Sequence, residues 1–164
     1  MINRLLSFSL MLILSPFIIL VMILIFFADG TPIFFAQRRV GINNQIFLIY
    51  KFRTMKNNLK DIPTHLISSG ENLYTRSGPL LRKFSLDELP QLFNIFKGDM
   101  NFIGPRPALY NQEDLIDYRT KLGIHKIKPG LTGWAQINGR DDLTIEEKVL
   151  KDKYYIENYS LLLD

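Results

Sequence analysis

Asp87 and Glu88 are adjacent carboxylates that follow a pair of cations, Arg82 and Lys83, and precede Pro90. Such a cluster suits a protein core poorly. An ionised carboxylate in basic surroundings can instead attack phosphorus and form an acyl phosphate. Neighbouring carboxylates repel each other, so cations or a metal such as Mg²⁺ must offset their charge. We therefore predict phosphoryl chemistry at this pair, against the alternative that the acids only decorate the first turn of a helix.

Pro90 limits where the helix after the acidic pair can begin. Ser85 and Glu88 could form a capping box that starts the helix at Leu86. That register places Pro90 just beyond the positions that tolerate proline. A later start, near Pro90 itself, leaves Asp87 and Glu88 at the mouth of the helix. Both registers put the carboxylates beside unpaired backbone N–H groups, a place that also binds phosphate.

Two arginines in proline-rich or glycine-rich segments are candidates for binding phosphate or nucleotide. Pro105 and Pro107 restrict the backbone around Arg106, and a fixed guanidinium can bind a phosphate or a flat polar ring in a bidentate manner. The alternative is a rigid turn with an exposed arginine. In the basic loop from Lys126 to Arg140, glycines would let the backbone approach a ligand, and Arg140 could meet a phosphate. The alternative there is a surface loop with a packed tryptophan.

The net charge of +4 is unevenly distributed along the chain. The stretch from Thr31 to Lys60 contains six cations and no acid. A basic block of this kind suits anionic headgroups or phosphates, although it is also compatible with a solvated positive face. Nucleic acid is disfavoured as a partner, because there is no helix-turn-helix or RNP-type pattern. The absence of cysteine excludes zinc modules, disulfides and thiolate catalysis.

The residues from Leu5 to Ala28 carry no charge and contain Ser15-Pro16 near their middle. This run is longer than the apolar region of a signal peptide, and no good cleavage site follows it. A straight helix over it would be roughly 36 Å long, enough to cross a hydrocarbon core of about 30 Å. Pro16 removes a backbone hydrogen bond from such a helix. The Ser15 hydroxyl can satisfy the freed carbonyl, so a stable kink is predicted there.

Both flanks of this apolar run are positively charged, with Arg4 on one side and Arg38 and Arg39 on the other. Positive flanks prefer the cytoplasm. A helix that enters the membrane, bends at Ser15-Pro16 and returns would satisfy both flanks. A single kinked spanning helix is the alternative, and the residues alone leave both paths open.

The overall pattern predicts an α/β (α+β) fold, with a membrane-embedded helix at residues 1–29 and a small cytoplasmic catalytic domain at 30–164. Ile33 to Val40 and Ile46 to Met55 read as a β-hairpin around a short loop at 41–44. A polar, irregular loop is predicted from Asn57 to Gly78. Three helices are predicted in the remainder: Pro90 to Lys97, Gln112 to Leu122, and one that a Thr144–Glu147 capping box opens and that continues through Tyr155 or beyond.

Taken together and in this order, the motifs resemble those of the bacterial sugar transferases, the monotopic phosphoglycosyl transferases. The resemblance covers nearly the whole chain and corresponds to the small form of the family, without the additional spanning helices of larger members. Family members usually continue beyond the point that matches Asp164 with another amphipathic, basic segment. The runs that carry the resemblance are Tyr50-Lys51-Phe52-Arg53-Thr54-Met55, Leu81-Arg82-Lys83, Ser85-Leu86-Asp87-Glu88-Leu89-Pro90-Gln91-Leu92-Phe93-Asn94, Lys97-Gly98-Asp99-Met100, Gly104-Pro105-Arg106-Pro107, Lys128-Pro129-Gly130-Leu131-Thr132-Gly133 and Asn138-Gly139-Arg140.

The resemblance implies transfer of a sugar 1-phosphate from a UDP-sugar to undecaprenyl phosphate on the cytoplasmic face of a bacterial inner membrane. This is the first membrane step in making capsule, O-antigen (lipopolysaccharide), exopolysaccharide or a glycoprotein glycan. By motif, Asp87 would be the nucleophile that carries the phospho-sugar covalently and releases UMP. Glu88 would be its acid/base or orienting partner, and Mg²⁺ would bind at Asp87.

The resemblance assigns the other motif residues to ligand binding and membrane insertion. Lys51 and Arg82 match phosphate-holding positions, and Arg106 and Arg140 match positions linked to the nucleotide. Ser15-Pro16 matches the break in a re-entrant membrane helix. Downstream glycosyltransferases and a second copy of the chain are candidate partners. Two rival functions remain, a non-catalytic membrane-anchored module that binds anionic lipid or polysaccharide, and a phosphatase that uses the same aspartate.

Overall fold

Helices and short strands alternate in the computed structural model, which describes residues 1–56, 73–139 and 142–160. The helices are α1 (Ile2–Asp29), α2 (Gly78–Lys83), α3 (Gln91–Lys97), α4 (Glu113–Lys121), α5 (Trp134–Ile137) and α6 (Ile145–Glu157). The strands are β1 (Phe34–Val40), β2 (Ile46–Phe52), β3 (Asn101–Ile103) and β4 (Gly130–Thr132). The prediction of a mixed fold with a long apolar N-terminal helix is confirmed. Most of the predicted loop from Asn57 to Gly78 lies outside the described residues.

The chain forms two compact units. The first contains Met1–Gln37 and Leu48–Lys97, and the second contains Arg38–Phe47 and Gly98–Asp164. The predicted β-hairpin is confirmed, and its strands, β1 and β2, pass through both units. Its turn places Asn43 and Asn44 at φ 53° and 58°, values that asparagine tolerates better than most residues. The predicted boundary between residues 29 and 30 concerns the membrane and stays a prediction.

In the first unit, the C-terminal half of α1 packs against the elements that follow the hairpin. Val21 and Ile25 of α1 form a buried cluster with Phe52 of β2 and Leu81 of α2. These side chains are at most 4% exposed. Their burial is driven by the removal of apolar surface from water, at about 25 cal/mol per Å². The rest of α1 is mostly apolar and exposed, and the helix is long and apolar enough to cross a membrane.

The N-terminal half of α1 packs against α3. The Ser7 hydroxyl donates to the Leu92 carbonyl at 2.6 Å in a buried position, and the Arg4 guanidinium donates to the Lys97 carbonyl at 2.8 Å. The Lys97 carbonyl belongs to the last turn of α3, where helix carbonyls lack intrahelical partners. Both halves of α1 therefore contact elements of the first unit.

The helix continues through Ser15-Pro16. Proline at position 16 has no N–H to give to the Leu12 carbonyl, four residues earlier. The Ser15 hydroxyl donates to that carbonyl at 2.8 Å, as the sequence predicts. Because the lost hydrogen bond is replaced locally, α1 does not end at the proline. The re-entrant path stays a prediction.

The second unit has its own core, in which Ala108, Leu115, Ile124 and Val149 are buried. β3 and β4 pair in parallel, with Asn101 opposite Gly130. The predictions for α4 and α6 are confirmed to within a few residues. The Thr144–Glu147 capping box is also present at the start of α6.

The predicted basic loop from Lys126 to Arg140 contains regular structure, namely β4 and α5. A Cβ at Gly130 would lie 2.2 Å from the Gly104 nitrogen, and one at Gly133 would lie 2.1 Å from the Gly104 oxygen. The missing side chains of these two glycines therefore make room for neighbouring backbone, and the approach of a ligand to this loop stays a prediction. Trp134 stacks on Tyr154 with ring centroids 5.6 Å apart, so the packed tryptophan of the alternative is present. Arg140 lies outside the described residues.

Candidate active site

The acidic pair lies in a short 3-10 turn, Leu86–Glu88, between α2 and α3. Ser85 precedes this turn with φ 54° and caps nothing, so the capping-box register is wrong. The later register is confirmed, because α3 begins at Gln91, directly after Pro90. Leu86 and Leu89 pack against the apolar cluster that includes Val21 and Ile25 of α1. Leucines on either side of the acidic pair thus fix the turn to the apolar cluster that α1 shares with β2 and α2.

Asp87 is 8% exposed, which is unusual for a carboxylate. Burial raises the pKa of Asp87 above its ordinary value. The positive charges of Lys51 and Arg82 oppose this rise in pKa, and the negative charge of Glu88 adds to it. Among the described residues, no other residue donates a hydrogen bond to the Asp87 carboxylate. Within the described part of the chain, the only hydrogen bond to this carboxylate thus comes from the backbone of Asp87 itself.

Glu88 is held by Lys51 of β2. The Lys51 Nζ lies 2.8 Å from Glu88 Oε1, and both side chains are about 15% exposed. A partly buried ion pair of this kind fixes both groups more firmly than a surface pair does. Glu88 is thereby oriented, and the ammonium of Lys51 is kept beside Asp87.

Asn94 of α3 fixes the strand that carries Lys51. Its side-chain oxygen accepts a hydrogen bond from the Tyr50 N–H at 3.0 Å, and its side-chain nitrogen donates to the Leu48 carbonyl at 2.7 Å. A fully buried asparagine is thereby satisfied by main-chain groups of β2. The sequence analysis includes Asn94 at the end of one family-like run but gives it no role of its own.

Arg82 lies in the last turn of α2, with its guanidinium carbon 5.4 Å from the centre of the Tyr74 ring. Its charge acts on Asp87, so the first unit brings together Lys51, Arg82, Asp87 and Glu88. Arg106 belongs to the second unit.

Arg119 supports the backbone at Arg106. It donates to the Arg106 carbonyl at 2.7 Å and to the buried carboxylate of Asp152 at 2.6 Å. Burial raises the pKa of Asp152, and Arg119 opposes that rise. The proline-flanked backbone around Arg106 is thus held by a buried ion pair that the sequence analysis missed.

The carboxylate oxygens of the acidic pair fit a Mg²⁺ site in which the protein supplies only part of the ligands. The described residues include no group of three or more His, Cys, Asp or Glu side chains that could hold an ion. Mg²⁺ often uses one or two protein carboxylates and takes its remaining oxygens from phosphates and water. Asp87 and the adjacent Glu88 supply two carboxylates and fit that pattern. A buried carboxylate with the positive charges of Lys51 and Arg82 nearby has the chemistry needed to form an acyl phosphate.

The chain is similar in sequence to known bacterial proteins. The family model described as bacterial sugar transferase matches residues 1–164. The sugar transferase EpsL of Bacillus subtilis is 44% identical over 82% of the chain and 65% of its own length. The UDP-N-acetylgalactosamine-undecaprenyl-phosphate N-acetylgalactosaminephosphotransferase of Aeromonas hydrophila is 40% identical over 92% of the chain and 37% of its own length. The undecaprenyl-phosphate glucose phosphotransferase of Komagataeibacter xylinus is 37% identical over 96% of the chain. The chain spans 32% of the length of this last relative.

Proposed function

Because this chain belongs to the bacterial sugar transferase family, we propose that it is a phosphoglycosyl transferase acting on a UDP-sugar and undecaprenyl phosphate. The products are undecaprenyl-diphospho-sugar and UMP. The names of the Aeromonas and Komagataeibacter relatives describe transfers to the same lipid acceptor. The observation that carries the proposal is the buried Asp87 carboxylate, which has no side-chain partner among the described residues and lies in the field of Lys51 and Arg82.

In the first step, a carboxylate oxygen of Asp87 attacks the phosphorus that bears the sugar. A new bond forms between this oxygen and phosphorus, and the bond from phosphorus to the oxygen shared by the two phosphates breaks. UMP leaves with that electron pair, and Asp87 carries the sugar phosphate as an acyl phosphate. Lys51 and Arg82 stabilise the charge that develops on the phosphate oxygens.

In the second step, a phosphate oxygen of undecaprenyl phosphate attacks the same phosphorus. The bond from Asp87 to phosphorus breaks, and the carboxylate is restored with its electron pair. Glu88, which Lys51 holds in place, acts as the acid/base or orienting partner of Asp87. The two steps use one site in turn, so we expect ping-pong kinetics.

We also propose that Mg²⁺ binds at Asp87 with phosphate oxygens of the donor. When bound, it would draw negative charge off the diphosphate. In its absence, the raised pKa of Asp87 would work against the ionised form that attacks phosphorus. Arg106 and Arg140 are proposed to contact the nucleotide, on the strength of their family motifs.

The proposed location is the cytoplasmic face of a bacterial inner membrane, with α1 embedded and re-entrant. Only 11% of its most apolar window is buried within the protein, although that window has a mean hydropathy of 3.1. Phe93 and Phe96 of α3 are also exposed, and Phe96 lies 5.6 Å from Phe8 of α1 between ring centroids. Since Leu86 and Leu89 pack beside α1, an embedded α1 keeps Asp87 near the level of lipid headgroups.

The test uses the full chain in nanodiscs with Mg²⁺, undecaprenyl phosphate and a panel of UDP-sugars. We expect UMP release with at least one donor. Without acceptor, we expect a single burst of UMP and an intact mass increased by one sugar phosphate. Asp87→Asn should abolish both signals. Asp117→Asn makes the same chemical change at an exposed acid of α4 and should leave both unchanged.

The rival functions give different results in the same assay. A non-catalytic binding module would release no UMP from any donor. A phosphatase would give inorganic phosphate or free sugar phosphate and would not depend on the lipid acceptor. Full turnover by Asp87→Asn would overturn the proposed mechanism.

A further inference from the structure

The last turn of α1 is held by Arg53, a buried residue on the chain directly after β2. The Arg53 Nη2 donates to the Asp29 carbonyl at 2.6 Å and to the Gly30 carbonyl at 2.9 Å. Carbonyls at the C-terminal end of a helix lack intrahelical partners, and a guanidinium satisfies them well. Arg53 is 8% exposed, so this contact is shielded from water. Arg53 belongs to one of the family-like runs, and in this structure its guanidinium binds the C-terminal end of α1.

The side chain of Asp29 reaches the start of α2. Its carboxylate accepts hydrogen bonds from the Arg76 N–H at 2.7 Å and the Ser77 N–H at 3.3 Å. The Ser77 hydroxyl donates to the same carboxylate. Arg76 and Ser77 directly precede α2, so the Asp29 carboxylate binds the backbone that leads into this helix. Asp29 thus joins the end of α1 to the beginning of α2 across 48 residues of sequence.

α2 cannot easily shift relative to the segment that follows β2. A Cβ at Gly78, its first residue, would lie only 2.3 Å from the Thr54 carbonyl oxygen. The Thr75 N–H donates to that same carbonyl at 3.1 Å. α2 then leads through Arg82 to the turn that carries Asp87. A displacement of α1 at Asp29 would therefore be passed to the catalytic turn.

We propose that Asp29 is a positioning residue that fixes the depth of Asp87 relative to the membrane surface. It contacts no substrate in this role. The inference rests on the proposed function, because it concerns the step in which a membrane-embedded phosphate reaches Asp87. The donor arrives from water, so its reaction does not depend on depth. The lipid phosphate is confined to the headgroup level, so its reaction does.

The test compares Asp29→Asn with the unaltered chain in nanodiscs, in three measurements. The first is the UMP burst from the UDP-sugar without acceptor. The second is turnover with undecaprenyl phosphate in the bilayer, and the third is turnover with a short, water-soluble prenyl phosphate. Asparagine keeps one acceptor oxygen but replaces the other with an NH₂ group. This NH₂ group cannot accept hydrogen bonds from the N–H and the hydroxyl of Ser77. We expect bilayer turnover to fall about 10-fold or more, since a misplacement of about 1 Å can cost up to about 100-fold in rate.

The UMP burst and the turnover with the water-soluble prenyl phosphate should stay within about 2-fold of the unaltered chain, because neither reaction needs a fixed depth of Asp87. If Asp29 only supported the fold, its substitution would lower all three rates together. Ser77→Ala removes only the hydroxyl donor and should show the same selective loss to a smaller extent. It also serves as the test if Asp29→Asn does not accumulate. Asp114→Asn, at an exposed acid of α4, is the matched control.

Equal losses in all three measurements, or no loss with the bilayer acceptor, would overturn the positioning role. Failure of the proposed function looks different. In that case the unaltered chain itself would give no UMP burst with any UDP-sugar.

Discussion

Asp87 combines burial with negative charge, and the two oppose each other. Burial favours the protonated acid, whereas the nearby cations favour the carboxylate that the proposed reaction needs. A folded-state pKa above the unfolded value means that the contribution of Asp87 to stability is full below the unfolded pKa. That contribution is lost as the pH rises through the folded-state pKa. At neutral pH the reactive group therefore lowers the stability of the fold that holds it.

Asp87→Asn should accordingly abolish transfer and raise the melting temperature at pH 7. The asparagine keeps the shape and removes the buried charge. At a pH of about 4, protonation of the wild-type acid removes part of this charge, because burial raises the pKa of Asp87, and the difference in melting temperature should shrink. Thermal unfolding in detergent at both pH values measures this. A variant that melts below the wild type at pH 7 would contradict the account of Asp87 as a strained buried charge.

Lys51 should control the pH at which Asp87 becomes reactive. Lys51→Met removes the positive charge that lowers the pKa of Asp87 more than Arg82 does, so this pKa should rise further. The rate of the UMP burst, which needs the carboxylate, should then fall on acidification at a higher pH than in the wild type. Arg82→Met should shift the profile the same way but by less. Lys51→Arg keeps the charge and is the control, and an unshifted profile for Lys51→Met would contradict this role.

The sequence singled out the side chains that are proposed to react, but not the residues that hold them in place. Asp87 and Glu88 stand out locally, because two acids beside cations and a proline form a short-range pattern. Asn94 and Asp29 act on groups that lie 44 or more residues away along the chain. No local sequence pattern predicts such partners, since an asparagine in a helix or an aspartate at a helix end is common.

At the scale of elements, local signals predicted α3 and α6 well. Pro90 fixed the start of α3, and the Thr144–Glu147 capping box fixed the start of α6. β4 and α5 were missed because they are only three and four residues long. They form because the backbone at Gly130 and Gly133 approaches Gly104, a contact that no periodicity encodes.

Gly133→Ala should test that backbone approach. Its methyl group would meet the Gly104 carbonyl at 2.1 Å, and main chain cannot move aside as a flexible side chain can. We expect a loss of about 3 kcal/mol or more in unfolding free energy, at the upper end for overpacking. Gly123→Ala is the comparison, because its Cβ would meet nothing within 4 Å.

In Gly123→Ala, strain comes only from the backbone, because residue 123 has a φ of 76°. Its expected loss is about 1–2 kcal/mol, the cost of a left-handed conformation for an L-residue. Chemical denaturation of the two variants in the same detergent gives the ranking. If Gly133→Ala proved the milder change, the close approach to Gly104 would not be what shapes this segment.

At the scale of the whole molecule, α1 has two roles: it packs against other elements of the first unit, and it also supplies an exposed apolar surface. Its N-terminal end is bonded to α3 through Arg4 and Ser7, and its C-terminal end is bonded to α2 through Asp29. A straight helix of 28 residues is about 42 Å long. If α1 spanned the bilayer, the carbonyl of Lys97 and the hydroxyl of Ser77 would have to lie at opposite headgroup layers. These contacts favour a path on which both ends of α1 face the same side.

Cysteine labelling can decide between the two paths, because the chain contains no cysteine of its own. Ile2→Cys marks the N-terminal end of α1, and Lys56→Cys marks an exposed position after β2. In sealed vesicles, a membrane-impermeant maleimide should label both positions from the same side. Ile13→Cys, near the middle of α1, should stay protected until detergent is added. Labelling of Ile2→Cys and Lys56→Cys from opposite sides would show a spanning helix, and the hydrogen bonds from Arg4 and Ser7 to α3 could not then persist in the membrane.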